Sequence, residues 1–249
     1  MKMRKFRAFV AAALGVTCAF GAAQAETAPD RVFQVTPYLW ATGVGGEIRP
    51  FTSAPTVSIS TSFSDLIKDL DAAFFVSAYA RYGNLVFMGD ISASSSSRSG
   101  TFRGPGFDLP ATGRLRQNSV TALAGYRVVH TQEATFDILG GARFWRVRGA
   151  VETPLRNASR RVSFTDPIIA ARANIEIAPG WSGILYADLG GFGVGSRGTA
   201  QVLGTVNYQL RENAFLSVGY RHLRVNYHRG GTRFDMRMSG PILGATLRF

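Results

Sequence analysis

Cysteine is all but missing. Cys18 is the single example, and it lies in the apolar stretch Ala8 to Ala23 that follows Lys2, Arg4, Lys5 and Arg7. With Ala23-Gln24-Ala25 just before Glu26, this arrangement predicts an export signal over residues 1–25, cleaved after Ala25. Gly15-Val16-Thr17 makes a poor lipidation site for Cys18. The exported remainder, 26–249, then has no thiol, which excludes a disulfide framework and thiol catalysis.

Lysine is nearly as scarce: after residue 25 only Lys68 remains, and every other cation is arginine. Taking the four signal cations from the formal +12 leaves +8. No helical or aromatic-patch module accompanies that surplus, which argues against nucleic acid as a partner. Past the signal there is no apolar run of the ~20 residues that a membrane helix needs. Histidine is limited to His130, His222 and His228.

What is present is a period of two. In Phe33 to Thr42, the residues Phe33, Val35, Pro37, Leu39 and Ala41 alternate with Gln34, Thr36, Tyr38, Trp40 and Thr42. The same alternation runs through 73–82, 85–94, 114–129, 135–147, 168–178, 181–194, 201–211, 215–228 and 233–249, which makes ten strands with one oily and one polar face. Short turns at 83–84, 130–134, 179–180 and 212–213 alternate with longer polar or glycine-rich connections at 43–72, 95–113, 148–167 and 195–200; the last hairpin, 229–232, is short. Within the first long connection, Phe63, Leu66, Ile67 and Leu70 recur at helical spacing behind Ser62, which predicts a short helix over 62–70.

The expected fold is an all-β, antiparallel, up-and-down transmembrane β-barrel of about ten strands, with eight as the alternative, tight turns on the periplasmic side and one short helix in the first outer loop. About 220 residues suit one such domain. A soluble β-sandwich is disfavoured because it would not sort its connections by length. Phe33, Tyr82, Phe136, Trp181 and Phe249 collect near the periplasmic ends as an interfacial girdle.

The polar face is then the lumen, and it carries Arg81, Asp90, Arg127, Asp137, Arg143, Arg172, Glu176, Asp188, Arg221 and Arg248. Charges on the lipid face would cost several kcal/mol near the midplane. We expect these groups to pair and fill the lumen rather than line an ion-selective pore, since ten strands leave little room beyond side chains. The remaining arginines suit the phosphates of lipopolysaccharide at the rim.

Candidates for chemistry are few. His130 falls in a short turn; His222 and His228 fall in the outer half of 215–228, where Asp235 could approach His228 as a water-activating pair. A surface histidine is the stronger reading. Gly190-Gly191-Phe192-Gly193-Val194-Gly195 opens no helix and lacks the lysine of a phosphate loop, so it reads as a turn with close backbone packing. No cofactor or metal is implied.

Leu243, Ala245, Leu247 and Phe249 alternate to the last residue, whereas Phe234, Met236 and Met238 are apolar at even positions. This switch implies either a bulge around Ser239-Gly240-Pro241 or an outer half that packs apolar residues inward. The tail Gly240 to Phe249 resembles the closing strand of bacterial outer-membrane barrels, with Phe249 as the signal read by the barrel-assembly machinery. Thr36-Pro-Tyr-Leu-Trp-Ala-Thr-Gly43, Ser62 to Asp71, Asp188-Leu-Gly-Gly-Phe-Gly-Val-Gly-Ser196, Ser217-Val-Gly-Tyr-Arg-His222 and Ser239 to Phe249 extend the likeness. Together they resemble a widespread family of Gram-negative outer-membrane β-barrel proteins, loosely similar to small porin-like and surface-antigen-like barrels. Arg224 departs from that pattern, which tends to have an acid there.

The resemblance implies fold and an outer-membrane location; it implies no activity and supplies no catalytic residue. The expected function is a non-enzymatic integral outer-membrane barrel serving envelope structure or narrow solute passage, with outer-membrane lipid, lipopolysaccharide and the assembly machinery as partners. The alternatives are a barrel enzyme, lipid-modifying or proteolytic, at the outer rim, and an adhesion or ligand-binding barrel using Arg98, Arg103, Arg156, Arg160 and Arg161.

Overall fold

In the computed structural model the alternation of the sequence becomes the two faces of a closed wall. The structure describes residues 31–49, 57–61, 70–104, 107–152, 154 and 157–249. Ten strands close the barrel: β1 (Arg31–Trp40), β4 (Leu70–Tyr82), β5 (Leu85–Gly104), β6 (Phe107–His130), β7 (Ala134–Glu152), β8 (Asn157–Ala178), β9 (Trp181–Gly190), β10 (Gly198–Arg211), β11 (Ala214–Arg229) and β12 (Thr232–Arg248). All pairings are antiparallel between sequence neighbours, and β1 meets β12 to shut the ring. The β1–β12 closure removes the open edges of the barrel at belt level, the requirement for β-structure in a bilayer.

Two further strands, β2 (Gly43–Arg49) and β3 (Val57–Thr61), form a hairpin that rides on the far half of β12. β12 therefore pairs with β11 along its whole length, with β1 from Ile242 to Arg248 and with β2 from Arg233 to Ser239. The chain steps from β1 to β2 at Ala41-Thr42, whose backbone crosses Gly240 so closely that a Cβ there would lie 1.8 Å from the Ala41 carbonyl oxygen.

The outward side chains form an apolar belt. On β6 it runs from Val120 to Val128, on β7 from Phe136 to Phe144, on β8 from Ile169 to Ile177 and on β9 from Trp181 to Leu189. That is about nine residues per strand, close to the ~9–11 that a tilted strand needs to cross hydrocarbon. None of the described Asp, Glu, Lys or Arg residues points outward within the belt. Phe33 and Phe249 meet at the turn end with their rings 6.0 Å apart and their backbones paired in both directions.

Beyond the belt the wall continues and its polarity inverts. Inward residues there are Trp40, Phe75, Trp145, Phe164, Leu223, Val225, Tyr227, Phe234, Met236 and Met238, one buried cluster. Outward residues are Arg116, Arg146, Arg148, Arg161, Arg224, Asp235 and Arg237. β12 pairs with β11 without any register shift. Of the two explanations for its switch in apolar parity, the bulge is absent and the inward apolar packing is present.

Several predicted connections are strand. The segment 95–113 is the β5–β6 ladder, paired up to Gly104 and Phe107, and 148–167 belongs to β7 and β8 except at 153–156. The serine and glycine run from Ser94 to Gly100 carries no apolar alternation, so composition disguised it as loop. The segment 43–72 holds β2, β3 and the start of β4, while the connection predicted at 195–200 is a turn over 191–197. Of the helix predicted over 62–70, residues 62–69 lie outside the described residues and Leu70 opens β4. The export signal also lies outside them.

Candidate functional site: an ion-paired lumen beneath an apolar plug

Strand alternation places the lumenal polar groups, and most fall into three Arg–Asp–Tyr units. Nearest the turn end, Arg127 on β6 donates from Nε to Asp137 Oδ1 of β7 at 2.8 Å and from Nη2 to the Tyr79 hydroxyl of β4 at 2.7 Å. Arg172 on β8 donates to Asp137 Oδ2 at 3.4 Å and lies over the Tyr79 ring at 4.5 Å. In the middle, Arg143 on β7 grips Asp188 on β9 with two parallel bonds of 3.1 and 2.6 Å. It also donates to Thr121 Oγ1, and Tyr186 donates to the same carboxylate at 2.8 Å. Both partners of that pair have side chains at most 1 % exposed.

The third unit spans the barrel. Arg221 on β11 donates to the Tyr38 hydroxyl of β1 at 2.6 Å and to Gln201 Oε1 of β10 at 2.6 and 3.0 Å, and it reaches Asp90 Oδ1 of β5 at 3.4 Å. Tyr38 in turn donates to Asp90 Oδ2 at 2.7 Å. The guanidinium also lies 4.6 Å over the Trp40 ring. Arg221 is thus the interface between the ionic lumen and the apolar cluster above it. Buried charges need this full complement of partners, because an uncompensated one costs several kcal/mol.

Of the ten lumenal charges read from the sequence, these units bring together Asp90, Arg127, Asp137, Arg143, Arg172, Asp188 and Arg221. Arg81 is buried and donates to the Gly83 carbonyl at 3.0 Å. Glu176 and Arg248 stand apart at the turn-end mouth, where they line a cavity of about 220 Å³. There Arg248 lies over Phe215 at 4.4 Å, and with the Gln34 side-chain amide turned to present its oxygen, Arg248 donates to it at 3.0 and 3.2 Å.

One buried carboxylate escaped sequence reading. Asp166 of β8 accepts from the Ser196 backbone N–H at 2.6 Å and from its hydroxyl at 2.9 Å, pinning the 191–197 turn to the wall. Gly195 has no room for a Cβ beside Thr165 and Asp166, and Gly191 has φ +84°. The glycine-rich run is therefore a turn with close backbone packing, as its composition suggested. Asp166 could have been found by carrying the parity of Arg172, Ala170 and Ile168 two residues further back.

Between the units lies a lumenal cavity of about 150 Å³, whose lining includes Arg143, Arg172 and Arg221 and the hydroxyls of Thr36, Thr205 and Thr246. Toward the loop end it stops at the aromatic cluster, in which Phe164 stacks 4.7 Å from Tyr227 and 6.1 Å from Trp145, and Tyr227 lies 4.9 Å from Phe234.

The histidines do not gather a site. Asp235 bonds Arg224 at 2.8 and 3.2 Å and Asn226 at 3.4 Å, so it is committed away from His228, and Arg224 has a charge partner after all. His222 Nδ1 lies 2.6 Å from Ser239 Oγ on the outer face. That is a nucleophile–base distance, but among the described residues no carboxylate is bonded to the ring. Among the described residues no group of three His, Cys, Asp or Glu could hold a metal ion. Of the arginines assigned to a binding surface, Arg160 and Arg161 are exposed on β8, Arg98 and Arg103 lie in β5, and Arg156 is outside the described residues.

No family model and no curated protein matches the chain. Among solved structures it is similar to the outer-membrane protease OmpT of Escherichia coli, with a TM-score of 0.53 and 10% identity over 91% of this chain and 99% of that one. It is also similar to the attachment invasion locus protein Ail of Yersinia pestis (TM-score 0.36, 12% identity, 90% and 100% covered). A COG4313 outer-membrane channel of Pseudomonas putida F1 scores 0.35 at 11% identity, with 93% and 100% covered. The first likeness shows a shared barrel fold, and the other two, below 0.5, carry no argument. A shared barrel does not transfer an activity.

Proposed function

We propose that this chain is an integral outer-membrane barrel with a sealed lumen, non-enzymatic, which serves the envelope as a rigid structural wall raised above the membrane surface. The carrying observation is the double closure of its interior. An ion-paired lumen fills the belt-level half, and an apolar cluster fills the half beyond it. An ion crossing from the loop end would have to dehydrate within the cluster and then break a bidentate pair. The apolar belt, which spans about nine residues of each strand with alternate side chains outward, supports membrane residence.

The test is the purified protein in a planar bilayer. We expect no conductance steps under an applied potential; reproducible open-channel steps would overturn the sealed reading. A heat-dependent shift in gel mobility is expected for the barrel itself.

A second reading, narrow solute passage, is favoured by one feature only, the lumenal cavity beside Thr36, Thr205 and Thr246. The same recordings separate the two. The enzyme alternative rests on His222 and Ser239, and it predicts that His222→Ala abolishes whatever phenotype loss of the protein causes. On the structural reading that phenotype is unchanged.

A further inference from the structure

On the outer face of β6, β7 and β8, three arginines stand side by side. Arg116 is in register with Arg148, and Arg148 with Arg161. Arg146 lies one row nearer the belt, between Asn118 and Ser163. All four arginines are exposed. Like charges directly opposite each other on adjacent strands repel and destabilise the sheet. Elsewhere on the wall, Arg224 facing Arg237 is relieved by Asp235. The β6–β8 row has no such relief: the carboxylate nearest to it on this face is Glu152, two rows higher, and it is bonded to Arg114. Such an uncompensated row points to an anion from outside the chain.

Height narrows the choice of anion. The last belt row on β6 and β7 is Val120 and Phe144, with Thr165 of β8 in register beside them, four residues below the arginine row along each strand. At about 3.3 Å per residue and a tilt near 40°, that separation is roughly 10 Å along the barrel axis. Arg146 stands at about half that height, and arginine stems can lean further toward the belt. Headgroups occupy the first several ångströms beyond the hydrocarbon. The row thus sits where lipid phosphates sit, directly above a surface that acyl chains must cover. Guanidinium forks suit phosphate oxygens bidentately, and lysine does not.

Resting on the outer-membrane reading above, we infer that Arg116, Arg146, Arg148 and Arg161 form a binding surface for the phosphates of a phosphorylated outer-leaflet glycolipid, whose acyl chains lie against the β6–β8 belt. A soluble polyanion would satisfy the charges but has no use for the contiguous apolar belt.

The experiment uses the full-length protein folded in neutral micelles and titrated with bisphosphorylated lipid A, the same lipid with both phosphates removed, inorganic phosphate, and soluble heparin. Wild type is expected to bind the bisphosphorylated lipid, with affinity falling as salt rises, and to bind the dephosphorylated lipid at least tenfold more weakly. The combined Arg116→Gln, Arg148→Gln and Arg161→Gln variant is expected to lose about tenfold or more in affinity, while Arg237→Gln keeps it.

In neutral micelles the triple variant is expected to unfold at the same temperature as wild type or higher, because repulsion has been removed. Unchanged lipid affinity in the triple variant overturns the inference, as does equal binding of the dephosphorylated lipid. So does competition by phosphate or heparin at the lipid's own concentration. If wild type shows no heat-modifiable barrel in neutral micelles, it is the membrane reading that fails, and the inference with it; lipid selectivity fails independently of that.

Discussion

Arg143 and Asp188 meet through two parallel hydrogen bonds, 2.6 and 3.1 Å long, across the intervening β8, with both side chains withdrawn from solvent. A pair of this kind is held by geometry rather than by net attraction, since two charges have been taken out of water. Asp188→Ala strands a guanidinium and is expected to cost about 3–5 kcal/mol of folding stability. Replacing both partners by apolar residues of similar size should cost much less. Urea titration of the four-member mutant cycle in micelles checks this; a double variant as unstable as the single would contradict it.

Phe164 is the hub of the plug, in ring contact with Trp145, Tyr227 and Phe234. Phe164→Ala is expected to destabilise by about 3–5 kcal/mol. The loss should be local: protease should now cut the β7–β8 wall beyond the belt, while the belt-level half keeps its heat-modifiable mobility. Bilayer conductance should stay at zero, because the Arg221 and Arg143 units still occupy the lumen below.

Gly240 lies under the Ala41-Thr42 crossing, where a Cβ would meet backbone at 1.8, 2.7 and 2.9 Å. Backbone atoms cannot swing aside, so Gly240→Ala must push β12 away from the β1–β2 step. A cost of about 1–3 kcal/mol is expected from overpacking. Pulse-labelled cells should show slower appearance of the folded form. Gly198→Ala, with open space around its Cβ position, serves as the control and should leave both measurements unchanged.

On the wall beyond the belt, the hydrogen bond from Arg224 holds the Asp235 carboxyl below the usual carboxylate range. A depressed folded-state value means that the contribution is present above the unfolded carboxylate pKa, near 4, and is lost as pH falls through the lower folded value. The stability difference between wild type and Asp235→Asn should therefore be constant at neutral pH and vanish in stronger acid. Because Arg224 is half exposed, that difference should stay below about 1 kcal/mol. A difference that persists unchanged into strong acid would contradict the assignment.

Wherever membrane covers one face and lumen the other, two environments act on alternate residues and the sequence records both. The belt segments, the short turns and the inward set from Asp90 to Arg221 were legible for that reason. Past the belt the outer face meets water, and Ser95, Arg116, Arg148 or Ser159 satisfy it without any pattern. Strand then reads as loop, and Asp166 was lost among polar neighbours. Phe234, Met236 and Met238 showed that something changed in β12. Their parity could not separate a bulge from an inverted interior, because both predict the same string of letters. Only the unbroken pairing with β11 decides it. The arginine row was invisible as well, since Arg116, Arg148 and Arg161 become neighbours only through register.

β12 is the common partner of β1, β2 and β11, and among the described strands it comes last in sequence. Until it docks, β1 and β2 each keep one edge unpaired although β4 and β3 hold the other, and β11 remains an open edge. Closure is thus a commitment step that draws residues some two hundred positions apart into one event. Such long-range closure is slow to reach by chance. The strand that seals the wall also acts as its timer: an intermediate waiting for β12 exposes sticky edges at both flanks, and its lifetime should govern how much of the chain reaches the membrane rather than an aggregate.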